Sequence, residues 1–300
     1  MLQIKNSYNT NNSKKHYNKI ANFYDNLSTY YDKKWWYNNP DSRHIKFYVS
    51  EIIYSNILSG KKVLDVGCGT CDTAIKLALK NCNVVGLDIS SNMLLVALNK
   101  ISKNEISQIS LFKGNVEELP FINNQFDCII SEFTLNYVNN PNKAIREMLR
   151  VLKKDGKLFL VISNLKPIYI IFWEFLIGNW KFIREIKKRK GEISFPYSNV
   201  KAKFRRFSFN ELKDIIDNLP ILTKKIIGTH SISGFIAYPL LILELFINNL
   251  KNKKFDFNDV DHFIKIKGEK IVYNIFKKGE KIDKYFNKIG RDIIFIGTKI

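Results

Sequence analysis

The sequence predicts an α/β domain in which a seven-stranded, mostly parallel sheet is covered by helices on both faces, and three observations carry that expectation. The first is Lys62-Val63-Leu64-Asp65-Val66, an apolar, β-branched run that ends in two glycines, Gly67 and Gly69, and passes through Thr70-Cys71-Asp72 into a segment with helical spacing, residues 73–78. That pattern is a buried strand, a tight turn and a helix start. The glycines are needed because the backbone must take conformations that a Cβ opposes and must let a ligand approach closely. The second observation is residues 83–88, Asn-Val-Val-Gly-Leu-Asp, a strand that closes on an acid, Asp88. In a parallel βαβ unit that carboxylate lands beside the glycine turn, where it can accept hydrogen bonds from both hydroxyls of a ribose. The third is the continued alternation of strand-like and helix-like segments, which demands right-handed crossovers.

Taken in order, residues 1–19 are polar, rich in Asn and Lys, and without the apolar centre of a signal peptide, so a loose tail is expected. Residues 17–25 and the aromatic cluster Tyr30, Tyr31, Trp35, Trp36 and Tyr37 precede a break at Asn38-Asn39-Pro40-Asp41, and residues 42–58 read as an amphipathic helix ended by Gly60. After Asp88, Ser90-Ser91-Asn92 can cap a helix over 93–101, and a third strand over 108–112 leads into Gly114-Asn115-Val116. A fourth strand, 126–131, opens onto Ser131, Glu132, Phe133, Thr134, Leu135 and Asn136, which should line a pocket because ligands of open α/β sheets lie outside the carboxyl ends of the strands. A helix over 141–153, with Asn140 as cap and Pro141 at its first position, precedes an Asp155-Gly156 turn and a fifth strand over 157–163. The last two strands are expected at 223–230 and 292–298.

From Lys166 the pattern changes. Residues 167–180 are almost wholly apolar and aromatic and pass into the Lys- and Arg-dense residues 181–190. About 14 residues are too few to cross a bilayer, which needs about 20, so an interfacial or pocket-covering helix is expected. A second such run, 232–246, is interrupted by Pro239 and Glu244 and followed by basic segments. These features divide the chain into a tail and lid (1–45), a nucleotide-binding core (46–165), an apolar and basic insertion (166–206), a core continuation (207–232), a second insertion (233–288) and a last core strand (289–300).

Three hundred residues with 45% hydrophobic content suffice for a real core. The net charge of +20 is uneven, with 30 basic and 15 acidic side chains in residues 151–300 against 18 and 13 in residues 1–150. Such a field favours an anionic partner, whether nucleic acid, anionic lipid or acidic substrate, while a chain rich in Lys, Asn and Ile throughout can reach the same charge through composition alone. Cys68, Cys71, Cys82 and Cys128 all fall in the first half, and a reducing cytoplasm is the simpler reading. Cys68 and Cys71 spell a CxxC, yet no second pair stands at zinc-binding spacing, and no metal site is expected.

The order VLDVGCGT, VVGLDISSNML, GNVEELPFINNQFDCIIS and NPNKAIREMLRVLKKDGKLFLV resembles, in sequence and spacing, the class I S-adenosylmethionine-dependent methyltransferases, most of all the branch of ubiquinone and menaquinone biosynthesis enzymes. The resemblance covers roughly residues 17–164. It implies a Rossmann-like fold, S-adenosylmethionine as cofactor and methyl transfer to a small-molecule acceptor, lipid-soluble and quinone-like in that branch. Carried over residue by residue, it implies cofactor contacts from Tyr24 in the lid, Asp65, Gly67, Cys68 and Gly69 around the first turn, Asp88 and Ile89 after the second strand, Met93 beneath adenine, Asn115 and Val116 after the third, and Ser131 after the fourth. Asn115 stands where relatives carry Asp or Glu, and its amide oxygen can still accept from the adenine amino group. Cys71 stands where relatives carry a third glycine. No nucleophilic triad is needed for in-line methyl transfer, and His44 and Tyr31 are the residues to test as a proton acceptor. Two other classes stay open: an RNA or DNA methyltransferase, suggested by charge although Ser131-Glu132-Phe133-Thr134 lacks the motif of amino-methylating enzymes, and a cofactor-binding protein without catalysis. Contact with an anionic membrane surface is expected of the two basic-flanked insertions.

Overall fold

A computed structural model of the chain describes residues 3–4, 11–32, 40–165, 168–176, 178, 180, 184, 190–193, 202–229 and 290–300. In chain order the elements are β1 (Gln3–Ile4), α1 (Asn11–Leu27), α2 (Pro40–Asn56), β2 (Lys62–Val66), α3 (Asp72–Ala78), β3 (Asn83–Asp88), α4 (Ser91–Lys103), β4 (Ile109–Lys113), β5 (Phe126–Glu132), α5 (Pro141–Val151), β6 (Leu152–Ser163), α6 (Ile168–Leu176), β7 (Lys190–Ile193), β8 (Ala202–Arg205), α7 (Phe209–Asp217), β9 (Ile221–Gly228) and β10 (Asp292–Lys299). One sheet runs β1-β4-β3-β2-β5-β6-β10-β9, and β7 pairs with β8 apart from it. β2 to β6 are mutually parallel, and β10 lies antiparallel between β6 and β9.

The seven expected strands are present, and an eighth, β1, adds two residues parallel to β4. The stretch expected as a tail therefore contributes to the sheet edge, and α1 begins at Asn11. A second difference lies at residues 152–156, expected as helix end and turn. The helix stops at Val151, and β6 starts at Leu152 and bulges through Asp155, whose φ is 59°. Asn140 caps α5 by accepting from Lys143 N–H at 3.1 Å, with Pro141 at the first position, as the sequence indicates. The second insertion, 233–288, lies outside the described residues, as does His230.

Two apolar layers sandwich the sheet. One face packs Ile45, Val49 and Ile53 of α2 against Val63, Ile130, Phe159 and Ile294, and the other packs Ala144, Ile145 and Met148 of α5 against Leu64, Ile129, Leu158 and Phe295. Parallel strands buried on both faces explain why β2, β5 and β6 read as nearly continuous apolar runs rather than alternating ones. Because β2, β3, β4 and β5 are parallel, their carboxyl ends share one edge, and strand order reverses there between β2 and β5.

Phe159, fully buried in the middle of β6, tests this packing. Phe159→Ala should lower stability in chemical denaturation by about 3–5 kcal/mol; a loss below about 1 kcal/mol would contradict the two-layer core.

Candidate functional site: a cleft at the carboxyl edge of the sheet

The loop after β2 is bent so tightly that Gly67 and Gly69 have φ of 71° and 52°. Gly67 N–H and Cys68 N–H both donate to Leu87 O, at 2.7 and 3.1 Å, which fastens the loop to the end of β3. A Cβ on Gly67 would lie 2.0 Å from Thr134 Oγ1, and Thr134 in turn donates to Val66 O at 2.9 Å. Glycine is thus required there twice, for its φ and for the space Thr134 occupies. Cys71 follows with a φ of 65°, a left-handed conformation that a side chain disfavours by roughly 1–2 kcal/mol. Its side chain is fully buried, so packing offsets that cost.

Asp88 closes β3. Its Oδ2 accepts from Gly69 N–H at 2.9 Å and its Oδ1 from Ser90 N–H at 2.8 Å. Burial raises its pKa, and the N–H groups of Ser90, Gly69 and Ile89 offset this only in part. Asp65, beneath the loop, is held well above the ordinary carboxylate range by burial first and by the charges of Glu132 and Asp88 next. Glu132, at the end of β5, is also raised by burial, against a hydrogen bond from Thr73 and the charges of Lys46 and Lys76.

These strand ends and α1 form a cleft partly open to solvent. Of the residues singled out in the sequence, Tyr24, Tyr31, Gly67, Gly69, Asp88, Ile89, Met93, Asn115, Val116, Glu132, Phe133 and Thr134 line it. Asp65, Cys68, Ser131, Leu135 and Asn136 do not. They are buried beneath the wall, where Asn136 donates to Arg205 O at 2.6 Å and accepts from Ser163 N–H at 3.3 Å. His44 lies on α2, and its side chain is outside the described residues. Tyr137 and Val138, which no sequence signal marks, reach the wall because Thr134–Asn136 forms a single 3-10 turn after Phe133, itself at a φ of 58°.

The lid is α1 with the turn that follows it. Asp25 accepts from Ser90 Oγ at 2.5 Å and Asn92 N–H at 2.9 Å, joining the lid to the first turn of α4. Asp32 accepts from Thr70 Oγ1 at 2.7 Å and pairs with Lys100 at 2.6 Å, while Lys100 also reaches Asp72 at 2.5 Å and Lys46 pairs with Asp72 on its far side. Burial alone would raise Asp72, but the two lysines outweigh it and hold its pKa below the usual range. Tyr24 packs edge-on to Tyr31 and Tyr137, with ring centroids 6.2 and 5.4 Å apart. Burial pushes Tyr137 up to about 12 and Tyr24 well above its ordinary value, so both phenols stay protonated at neutral pH.

The donor set fits an adenosyl sulfonium compound. A Cβ on Gly69 would meet nothing nearer than Tyr31 Cε1 at 3.9 Å, so backbone faces open space where a ribose can approach Asp88. Ile89, Met93 and Val116 supply an apolar shelf for a purine. Asn115 differs from expectation in one respect: its Oδ1 already accepts from Glu117 N–H at 3.0 Å, leaving one lone pair for an adenine amino group. The Cys68 thiol is raised by its hydrogen bond with Cys71 and by burial, the opposite of a reactive thiolate. Among the described residues no group of three His, Cys, Asp or Glu side chains could hold a metal ion.

Residues 57–170 match the family model described as a methyltransferase domain. The chain is 38% identical over 201 residues to the uncharacterized protein MJ1252 of Methanocaldococcus jannaschii, covering 66% of this chain and 74% of that one. It is 35% identical over 144 residues to the demethylmenaquinone methyltransferase of Geobacillus sp., covering 47% of this chain and 61% of that enzyme. It thus spans about three fifths of the demethylmenaquinone methyltransferases it matches. Among solved structures, a SAM-dependent methyltransferase from Methanosarcina mazei superposes with a TM-score of 0.53 at 16% identity, covering 83% of this chain and 97% of that one. The [4+2]-cyclase SpnF superposes with the same score at 19% identity, covering 84% and 80%. On the strength of the glycine loop, the acid that closes β3 and these similarities, the chain belongs to the class I S-adenosylmethionine-dependent methyltransferases.

Proposed function

We propose that the chain methylates a small, largely apolar acceptor held in the cleft beneath α1. The observation that carries this reading is the composition of the wall. Beside the cofactor shelf it presents Ile20, Phe133, Tyr137 and Val138, and its charged members are the acids Asp88 and Glu132, with no Lys, Arg or His among the described lining residues. A nucleic-acid acceptor, whose phosphates need basic contacts, finds none in such a wall. Sequence similarity to demethylmenaquinone methyltransferases supports the finer reading of a quinol-like acceptor.

S-adenosylmethionine, when bound, supplies a methyl group already made electrophilic by its sulfonium. What remains for the protein is to orient, exclude water and accept a proton. Asp88 and the Gly69 backbone would hold the ribose, and Ile89, Met93 and Val116 the purine. Tyr24 and Tyr31 close the cleft toward α1. Glu132 is the wall group whose raised pKa suits it to take a proton from the acceptor, whereas the protonated phenols of Tyr24 and Tyr137 can donate hydrogen bonds but not serve as bases at neutral pH.

S-adenosylmethionine should raise the melting temperature, as a ligand of the native state must, and Asp88→Ala should weaken its binding by about 10²-fold, the loss of charge-assisted hydrogen bonds; unchanged affinity would refute the site. With methyl-labelled cofactor and a cell lysate, label is expected in the organic-extractable fraction, and label in RNA would overturn the acceptor class. Glu132→Gln should lower that incorporation by about 10²-fold or more while the thermal shift persists. The binding should also depend on pH. Burial raises the carboxyls of Asp65 and Asp88, and a bound cation favours their ionised forms, so binding releases protons and affinity rises with pH through their raised titration range. S-adenosylhomocysteine, lacking the sulfonium charge, should show a flatter profile in the same titration.

A further inference from the structure

We infer that the exposed face of α6 docks on an anionic lipid surface. Ile168, Phe172, Phe175 and Leu176 recur at helical spacing, fall within one arc of α6, and are 40%, 43%, 52% and 55% exposed. Ile170, on the opposite side, and Tyr169, at the flank of the stripe, are buried to 6% and 1%, so the helix is anchored to the fold along that side and turns an apolar stripe outward by the other. Trp180, 56% exposed, stands edge-on to Phe175 with centroids 4.9 Å apart and lengthens the stripe past the helix end.

The chemistry of the stripe and of the sequence after it selects the partner. Residues 181–190 hold six basic side chains and one acid, immediately beyond an aromatic and aliphatic face. An amphipathic Trp and Phe side chain at headgroup depth, aliphatic side chains at the acyl boundary and a polybasic run beside them are what an anionic interface takes up. Nucleic acid could stack on the rings but offers nothing to Ile168 and Leu176. At about 1.5 Å per residue, the nine residues of α6 reach about 14 Å, enough to lie in an interface and far short of a crossing. No helix among the described residues is long and apolar enough to cross a membrane.

Position gives the docking a use. β6 is parallel to β5 and α6 begins five residues after β6 ends, so α6 leaves the sheet at the edge that carries the cleft. A surface bound by α6 lies on the side of the molecule from which an acyl or prenyl compound would enter. The docking itself does not depend on what the cleft methylates, and vesicle binding reads it without an acceptor.

The test is sedimentation of the full chain with vesicles of phosphatidylcholine alone and of phosphatidylcholine mixed with phosphatidylglycerol. The chain should pellet with the mixed vesicles at least about tenfold more tightly, and salt should weaken the binding. The double variant Phe175→Asp, Leu176→Asp should lose about tenfold or more of it, while the thermal shift with S-adenosylmethionine stays as in the parent. Should that variant not fold, quenching of tryptophan fluorescence in the parent by brominated lipid decides: quenching that Trp180→Phe reduces supports the inference. Failure of the parent to bind mixed vesicles, equal binding by a folded double variant, no quenching, or loss of RNA binding rather than vesicle binding on altering the stripe would each overturn it. A lost cofactor shift with retained vesicle binding would refute the methyltransferase site and leave the docking standing.

Discussion

The fold of the cleft depends on one carboxylate. Asp88 accepts from Gly69 and Ser90 at once, so the turn after β2, the end of β3 and the start of α4 are tied to a single group. Two further bonds, from Gly67 and Cys68 to Leu87 O, leave that turn no other path. The constraint explains the glycines, since the turn must run at positive φ and Thr134 fills the space where a Cβ on Gly67 would go. It also explains why Asp88 is buried at some electrostatic cost: backbone N–H groups partly offset the desolvation and leave the carboxylate preorganised for a ligand.

The lid is fixed to this unit by charge rather than by apolar area alone. Asp25 caps the first turn of α4 from outside that helix, and Asp32 joins a chain through Thr70 and Lys100 to Asp72 and Lys46. The helix under the purine shelf and the helix over the cleft are therefore mechanically one piece. Asp25 and Lys100, which do not line the cleft, hold the lid in place beside it.

Much of this was legible in the sequence, for physical reasons that differ by element. β3 and the Asn140-Pro141 cap could be read to the residue because a buried parallel strand must be apolar and a cap must supply an acceptor. The start of β6 could not, since Leu152 to Gly156 has the composition of a helix end, and pairing with β5 and β10 decides its state. β1 consists of two residues whose strand character comes entirely from β4. In the cleft, the glycines and Asp88 were readable because their roles are set by backbone geometry. Tyr137 and Val138 were not, because a single 3-10 turn leaves no periodicity. Asp65 and Ser131 lie near the ends of β2 and β5 on opposite faces of the sheet, and both are buried rather than exposed to the cleft, a depth that strand periodicity does not reveal.

The distribution of charge separates two tasks that the net charge of +20 obscures. The cleft wall carries Asp88 and Glu132, with Asp65 beneath, and thus a local negative potential suited to a sulfonium cation. Exposed lysines and arginines beyond the cleft contribute little to binding that ligand, because charges farther than a Debye length of about 8 Å are screened in physiological salt. A basic surface would, if anything, slow the approach of a cation. The excess of 30 basic over 15 acidic side chains in residues 151–300 therefore has its explanation outside cofactor binding, either in composition or in an anionic partner met by the half of the chain that contains α6. α6 follows β6 at the edge where the parallel strands end, so the exposed aromatic face of that helix belongs to the same side of the sheet as the cleft residues.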